Sequence, residues 1–157
     1  MLIRSVQDDV FKTDAKHIAF AINTEGLNDS GFAGYISENY WKELENCGEH
    51  KLGDVLSKTV GDKTFHALVC HSISIGWCEN QMEVIKECFD KIPSNGEEIA
   101  TIAIGTGMIG RMLRANFKDI LYGMSASNQN IIIYSNLELD NVIKIINKQQ
   151  NKKILKK

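Results

Sequence analysis

The chain has one proline in 157 residues, and it has no apolar run approaching the ~20 residues needed to cross a bilayer. Its longest apolar runs are short, Ile131-Ile132-Ile133-Tyr134 among them, and Met1-Leu2-Ile3-Arg4 does not open a signal peptide. A cytoplasmic protein without a membrane partner is expected. An excess of positive charge is missing too: 18 basic against 20 acidic residues give a net charge of -2, which argues against a general nucleic-acid binder. The four cysteines, Cys47, Cys70, Cys78 and Cys88, contain no C-x-x-C and read as reduced intracellular thiols. They make no zinc spacing with His17, His50, His66 and His71, because the Cys47 and His50 pair has no second pair to complete it. No metal and no cofactor is expected. Low proline also excludes a low-complexity or collagen-like chain, and 43% hydrophobic with 24% charged residues is the composition of an ordinary globular domain.

What is present is an alternation of apolar and polar segments in βαβα order, without a repeat or a linker. Strands are predicted over residues 2–6, 18–22 (IAFAI, apolar throughout and so buried on both faces), 64–70, 99–104 and 131–134. Helices are predicted over 32–44, 79–92, from about 110 to 122, and over 139–155. The terminal helix ends in Lys144, Lys148, Lys152, Lys153, Lys156 and Lys157, which reads as a solvated end favoured by the helix dipole, or as a weak polyanion contact. The expected architecture is a three-layer α/β/α domain around a central mixed, mostly parallel sheet. It is divided into a main domain over 1–137 and a C-terminal helix with a basic tail over 138–157.

In such sheets ligands bind at the carboxyl ends of the strands, so the strand-to-loop junctions carry the candidate chemistry. Gly105-Thr106-Gly107-Met108-Ile109-Gly110 follows a strand and opens a helix, where backbone N–H groups can approach a diphosphate. It formally matches the dinucleotide fingerprint, but too little chain follows for that fold, and the next strand ends in Tyr134-Ser135-Asn136 with no acid to hold a ribose. Asn23-Thr24-Glu25-Gly26-Leu27-Asn28-Asp29-Ser30-Gly31 combines glycines with polar side chains suited to sugar hydroxyls. Asp8-Asp9-Val10 follows the first strand, where an isolated Asp is usually a cap. His71 ends the central strand and reads either as a general acid or base or as a hydrogen-bonded structural residue.

Taken together, these junctions resemble the macro domain, an α/β/α module that binds ADP-ribose. The resemblance implies that Asp9 meets the adenine amino group, with Val10 beside it. It also implies that Asn23 takes the ribose-facing position of the family's Asn-Ala-Ala-Asn segment, with Phe20 in place of the first Asn. Gly31-Phe32 then closes the glycine-rich stretch, Gly105 to Gly110 forms the diphosphate loop, and Tyr134 with Asn136 closes over the base. Asn23-Thr24-Glu25-Gly26 is similar to the Asn-Thr-x-Gly of macro domains that remove ADP-ribose from DNA or glutamate. Glu25, Asp29 and Ser30 would lie near the distal ribose.

The same resemblance leaves catalysis open. Ala33 stands where one hydrolase branch has an Asp, and His71 and Ile109 stand where the terminal ADP-ribose glycohydrolase branch has Lys and Asp. The first expectation is therefore binding of ADP-ribose or a related adenine nucleotide. The alternative is a hydrolase acting on an ADP-ribosylated protein or nucleic acid or on ADP-ribose-1″-phosphate, with His71 as the candidate catalytic group. Richness in Ile, Asn and Lys suggests an AT-rich genome, bacterial or viral; in the viral case the location is the host cytoplasm.

Overall fold

The computed structural model describes residues 3–77 and 79–155, apart from the side chains of residues 108, 109 and 153–155. Leu2, expected to open the first strand, Cys78, and Lys156 and Lys157 lie outside the described residues. Among the described residues seven strands form one sheet: β1 (Ile3–Val6), β2 (His17–Asn23), β3 (Val55–Val60), β4 (Lys63–Ser72), β5 (Gly76–Trp77), β6 (Ile99–Ile102) and β7 (Ile131–Tyr134). Their order is β1-β7-β6-β2-β4-β3, with β5 on the end of β4. The pairs from β1 to β4 along this order are parallel, and β3 and β5 run antiparallel to β4. The sheet is thus mixed and mostly parallel, as the sequence implies.

Helices cover both faces. On one, α2 (Gln81–Asp90), α4 (Phe117–Ala126) and α5 (Asp140–Leu155) bury Ile85, Phe89, Ile120, Leu121, Ile143 and Ile146 against the sheet. On the other, α1 (Gly31–Asn39) and two 3-10 turns at Val10–Lys12 and Lys42–Glu45 bury Ile36, Val10 and Leu44 against Phe20, Ile22 and Phe65. The central strand β2 takes partners on both edges and is buried along nearly its whole length, which accounts for its unbroken apolar run. Helix α5 shields β1, where Asn147 Nδ2 donates to the Ile3 carbonyl at 2.9 Å and Ser5 Oγ donates to Asp140 at 2.8 Å.

Several boundaries differ from the sequence reading. The predicted helix over 32–44 ends at Asn39, and the chain passes through Tyr40 and Trp41 into a separate 3-10 turn, with Trp41 and Leu44 buried. The helix predicted from about 110 to 122 is two pieces: α3 (Met108–Met112) and α4. Arg114 between them adopts a left-handed φ of 65°, and Asn116 caps α4 by accepting from the Asp119 N–H at 3.2 Å. The break docks on neighbours: the Leu113 carbonyl accepts from the Trp77 N–H at 2.9 Å, and Gln81 bridges the Arg114 carbonyl and the Asn116 N–H. The edge strand β3 and the two-residue β5 were not foreseen.

Toward the amino end of β2 lies a buried polar line. His17 Nδ1 and His66 Nε2 are 2.9 Å apart, and His66 Nδ1 meets Ser57 Oγ at 2.7 Å. Burial, reinforced by His17, pulls the fully buried His66 down to about 4, so its ring is neutral at pH 7. The folded pKa lies below the ordinary value of 6.5, so the unfolded chain binds more protons as pH falls from 6.5 to 4. This group therefore removes stability across that window, by at most about 3 kcal/mol. Denaturant unfolding followed from pH 7 to 4 should show this decline, and His66→Gln, which keeps a hydrogen-bonding side chain without titrating, should flatten it. An unchanged slope would assign the decline to other groups.

Candidate functional site

The site is built where β2, β4 and β6 end. Between Ile22 and Asn23 the register of β2 with β4 slips: Ile22 pairs with Val69, but Asn23 pairs with His71. Such an irregularity re-aims the side chains that follow it. Asn23 turns onto its own loop, Nδ2 donating to the Leu27 carbonyl at 2.8 Å and Oδ1 accepting from the Leu27 N–H at 3.1 Å. Gly26, at φ +75°, lies so close to the 45–50 segment that a Cβ would sit 2.0 Å from the Gly48 carbonyl oxygen. The loop then enters α1 through Asp29, Ser30 and Gly31, and Ser30 makes no side-chain cap, so it leaves the first-turn N–H groups uncapped.

Glu25 fastens this loop to the one after β4. Its Oε1 accepts from the Ile73 N–H at 2.8 Å and from Thr24 Oγ1 at 3.1 Å. Its Oε2 accepts from Ser72 Oγ at 2.6 Å and Ser74 Oγ at 3.0 Å. Burial pushes the Glu25 carboxyl up, but the hydrogen bonds from Ser72, Ile73 and Ser74 outweigh this and hold it at about 2, so it is ionised at neutral pH.

On the other side, β6 ends at Ile102 and turns through Gly105, at φ +86°, with Thr106 Oγ1 donating to the Ala103 carbonyl at 2.7 Å. A Cβ at Gly110 would lie 2.4 Å from the Gly105 carbonyl oxygen, whereas one at Gly107 would meet no atom within 4 Å. The helix that follows has five residues, so the favourable potential at this loop comes from its main-chain N–H groups rather than from a long helix dipole.

Between the loops lies a cleft of about 450 Å³. Of the residues singled out in the sequence, Asn23, Gly31, Phe32, Ala33, His71, Gly105, Gly107 and Gly110 line it, together with Asp29 and Ser30. Asp9 does not line it: its Oδ1 accepts from the Phe11 N–H at 2.9 Å, capping the first 3-10 turn, and Phe11 stacks on the lining Phe32 at 5.7 Å. Val10 is buried in the core behind this wall. Thr106 acts on its own loop, Tyr134 ends β7 beside Ile102, and Asn136 is exposed, its carbonyl accepting from Gln7. The side chains of Met108 and Ile109 lie outside the described residues.

Sequence reasoning missed Trp77 and Ile73 on the cleft wall. The aromatic residue after the Ile73-Ser74-Ile75-Gly76 turn was the available signal for Trp77. Among the described lining residues Asp29 carries a charge, and there is no lysine or arginine. No group of three His, Cys, Asp or Glu among the described residues could hold a metal ion, and no helix is long and apolar enough to cross a membrane.

A three-layer α/β domain with a cleft formed by two glycine-bearing loops at the carboxyl ends of its central strands is thus defined. No protein-family model matches the sequence, and no curated protein does. Solved structures do match. The alphavirus P23pro-zbd structure aligns at TM-score 0.71 and 11% identity over 96% of this chain, which spans 24% of that one. The macrodomain of Mycobacterium tuberculosis DarG aligns at TM-score 0.66 and 14% identity, covering 85% of this chain and 97% of its own. A mutant Oceanobacillus iheyensis macrodomain with ADPR aligns at TM-score 0.60 and 17% identity, covering 98% and 93%. The chain thus has the macrodomain fold.

The glycine contacts separate shape from function in the late loop. Gly110→Ala should destabilise the protein by about 1–3 kcal/mol, because the added carbon meets backbone. Gly107→Ala should leave the melting temperature within about a degree or two, as surface changes of under ~0.5 kcal/mol do. Thermal unfolding of the two variants checks this, and equal losses would refute the assigned geometry.

Proposed function

We propose that the cleft binds ADP-ribose. The observation that carries this reading is the pairing of two main-chain loops across one cleft: the uncapped start of α1 at Ser30–Gly31, and the Gly105–Gly110 turn, where Gly107 leaves room for a guest. With no lysine or arginine among the described lining residues, the main-chain N–H groups of these two loops are the donors left to hold a diphosphate. Phe32, backed by Phe11, offers an aromatic wall for the base, and Asp9 at the end of that wall keeps Oδ2 without a protein donor among the described residues. The macrodomain fold and the ADPR held by a structural neighbour support the same reading.

Calorimetric titration tests it. ADP-ribose should bind and AMP should bind much more weakly. Gly107→Val should abolish ADP-ribose binding while the protein stays folded; retained affinity would mean that the loop is not the phosphate cradle. Asp9→Ala should cost about 1–3 kcal/mol, the range for a hydrogen bond to a charged group. It should affect ribose 5-phosphate, which lacks the base, much less; equal losses would remove Asp9 from base recognition.

A second reading, hydrolysis of an ADP-ribosyl bond or of ADP-ribose-1″-phosphate, is favoured by the presence of His71 on the wall. Burial lowers its pKa to about 4, partly opposed by Glu25, so the ring is neutral at pH 7 and suited to accepting a proton rather than supplying one. Ala33 offers no carboxylate beside it. In this reading His71→Ala abolishes turnover and spares binding; unchanged turnover rejects His71 as the catalyst. The expected setting remains the cytoplasm.

A further inference from the structure

The two most exposed large apolar side chains among the described residues stand together. Ile75 is 87% exposed and Met112 is 74% exposed. Their segments touch through main chain: the Trp77 N–H donates to the Leu113 carbonyl at 2.9 Å, and a Cβ on Gly76 would lie 2.9 Å from the same oxygen. Ile75 precedes Gly76 and Met112 precedes Leu113, so each is about 3.8 Å of chain from that contact. Both segments are held in place. The Ile75 N–H donates to Ser72 Oγ at 3.1 Å, the Ala115 N–H donates to the Gly110 carbonyl at 2.9 Å, and the Arg114 carbonyl accepts from Gln81 Nε2 at 3.2 Å. Ile73, Trp77 and Gly110 on these segments line the cleft, whereas Ile75 and Met112 do not. The apolar pair therefore stands on the lip of the cleft, outside it.

Two arginines flank Met112. Arg111 and Arg114 are exposed, and neither has a carboxylate partner among the described residues, whereas Arg4, Lys12, Lys16, Lys58, Lys86 and Lys91 each have one. Arg111 Nε donates to the Thr106 carbonyl at 3.2 Å, which leaves the two terminal nitrogens of its guanidinium for a guest. From residue 99 to residue 118 the chain carries Arg111, Arg114 and Lys118 and no acid, although it has 20 acidic residues in all. Glu25, the carboxylate bound to the 72–74 segment, has its oxygens taken by Thr24, Ser72, Ile73 and Ser74. On a chain of net charge -2, this lip is cationic and apolar.

We propose that Ile75, Met112, Arg111 and Arg114 form a docking surface for an acidic, apolar segment of a partner protein. Methionine and arginine around an apolar centre are the residues in which protein interfaces are enriched, and a methionine adapts to the shape set against it. The partner's aliphatic side chains cover Ile75 and Met112, and its carboxylates take the two guanidiniums in paired hydrogen bonds. A nucleic acid would use the arginines but finds in Ile75 and Met112 no ring on which to stack a base. A second copy docked through a two-fold axis would set arginines against arginines. The surface lies beside the cleft, and its partner does not depend on what the cleft holds.

Fluorescence anisotropy of the full chain with short, labelled synthetic peptides tests it. A peptide of Glu and Leu should bind. A peptide of Lys and Leu, a peptide of Glu and Ser, and a single-stranded oligonucleotide should each bind at least about 10-fold more weakly. Arg114→Gln should weaken the Glu and Leu peptide about 2- to 5-fold, the worth of an exposed ion pair. Ile75→Asp, which sets a like charge on the apolar pair, should weaken it at least about 10-fold. Neither residue lines the cleft, so both variants should keep the ADP-ribose affinity of the unmodified chain; a parallel loss would make them part of the cleft and overturn the docking surface. Failure of the Glu and Leu peptide to bind, equal binding of the three peptides, or tighter binding of the oligonucleotide overturns it as well, and leaves the reading of the cleft as it was. So does a dimer in sedimentation velocity that Ile75→Asp disperses, because the surface would then serve a second copy. The peptide comparison uses the unmodified chain, so it decides the matter even if a variant folds poorly.

Discussion

The register slip between β2 and β4 is the constraint from which the cleft follows. Without it Asn23 and His71 would continue the alternation of their strands. With it, Asn23 binds both polar groups of Leu27, and the His71 carbonyl accepts from the Thr24 N–H at 2.8 Å. Those contacts start the two loops side by side, and the Glu25 carboxylate then ties them together through Ser72, Ile73 and Ser74. A carboxylate that accepts four hydrogen bonds is costly to misplace, so one strand irregularity propagates into two loops held side by side.

The cleft's electrostatics are unusual for a site proposed to hold two phosphates. Cationic side chains would bind an anion with little geometric demand. Main-chain donors bind it only if the backbone is held in place, and here backbone contacts hold it: Gly110 against Gly105, and Gly26 against Gly48. Rigidity is the physical substitute for charge.

Much of the fold was legible because it depends on local chemistry. The apolar run 18–22 could belong only to a doubly covered strand, and α2 announced itself through the spacing of Ile85, Cys88 and Phe89, all fully buried. What escaped is equally physical. Strand β3 reads VLSKTV, and its Ser57, Lys58 and Thr59 blur the apolar signal because an edge strand is kept polar against unwanted pairing. The α3–α4 break sits at Arg114, where no glycine advertises a left-handed residue; distant partners, Trp77 and Gln81, hold it. In the site, the glycines were legible from their spacing, and Asn23 and His71 from their strand ends. The clamp of Glu25 on Ser72 and Ser74, and the stacking of His71 on Trp77, join residues that only the folded sheet brings together.

Because the two glycine-bearing loops are shaped by main-chain contacts, most side chains on them do not set the course of the backbone. Ala33 and the residues beside it can change their chemistry without altering the path of the backbone, provided the few glycines in backbone contact stay small. That gives a physical reason why the fold persists at 11–17% identity to its structural neighbours. What such loops require is a curve of peptide planes, and side chains matter to it chiefly at the points where a single carbon atom would be one too many.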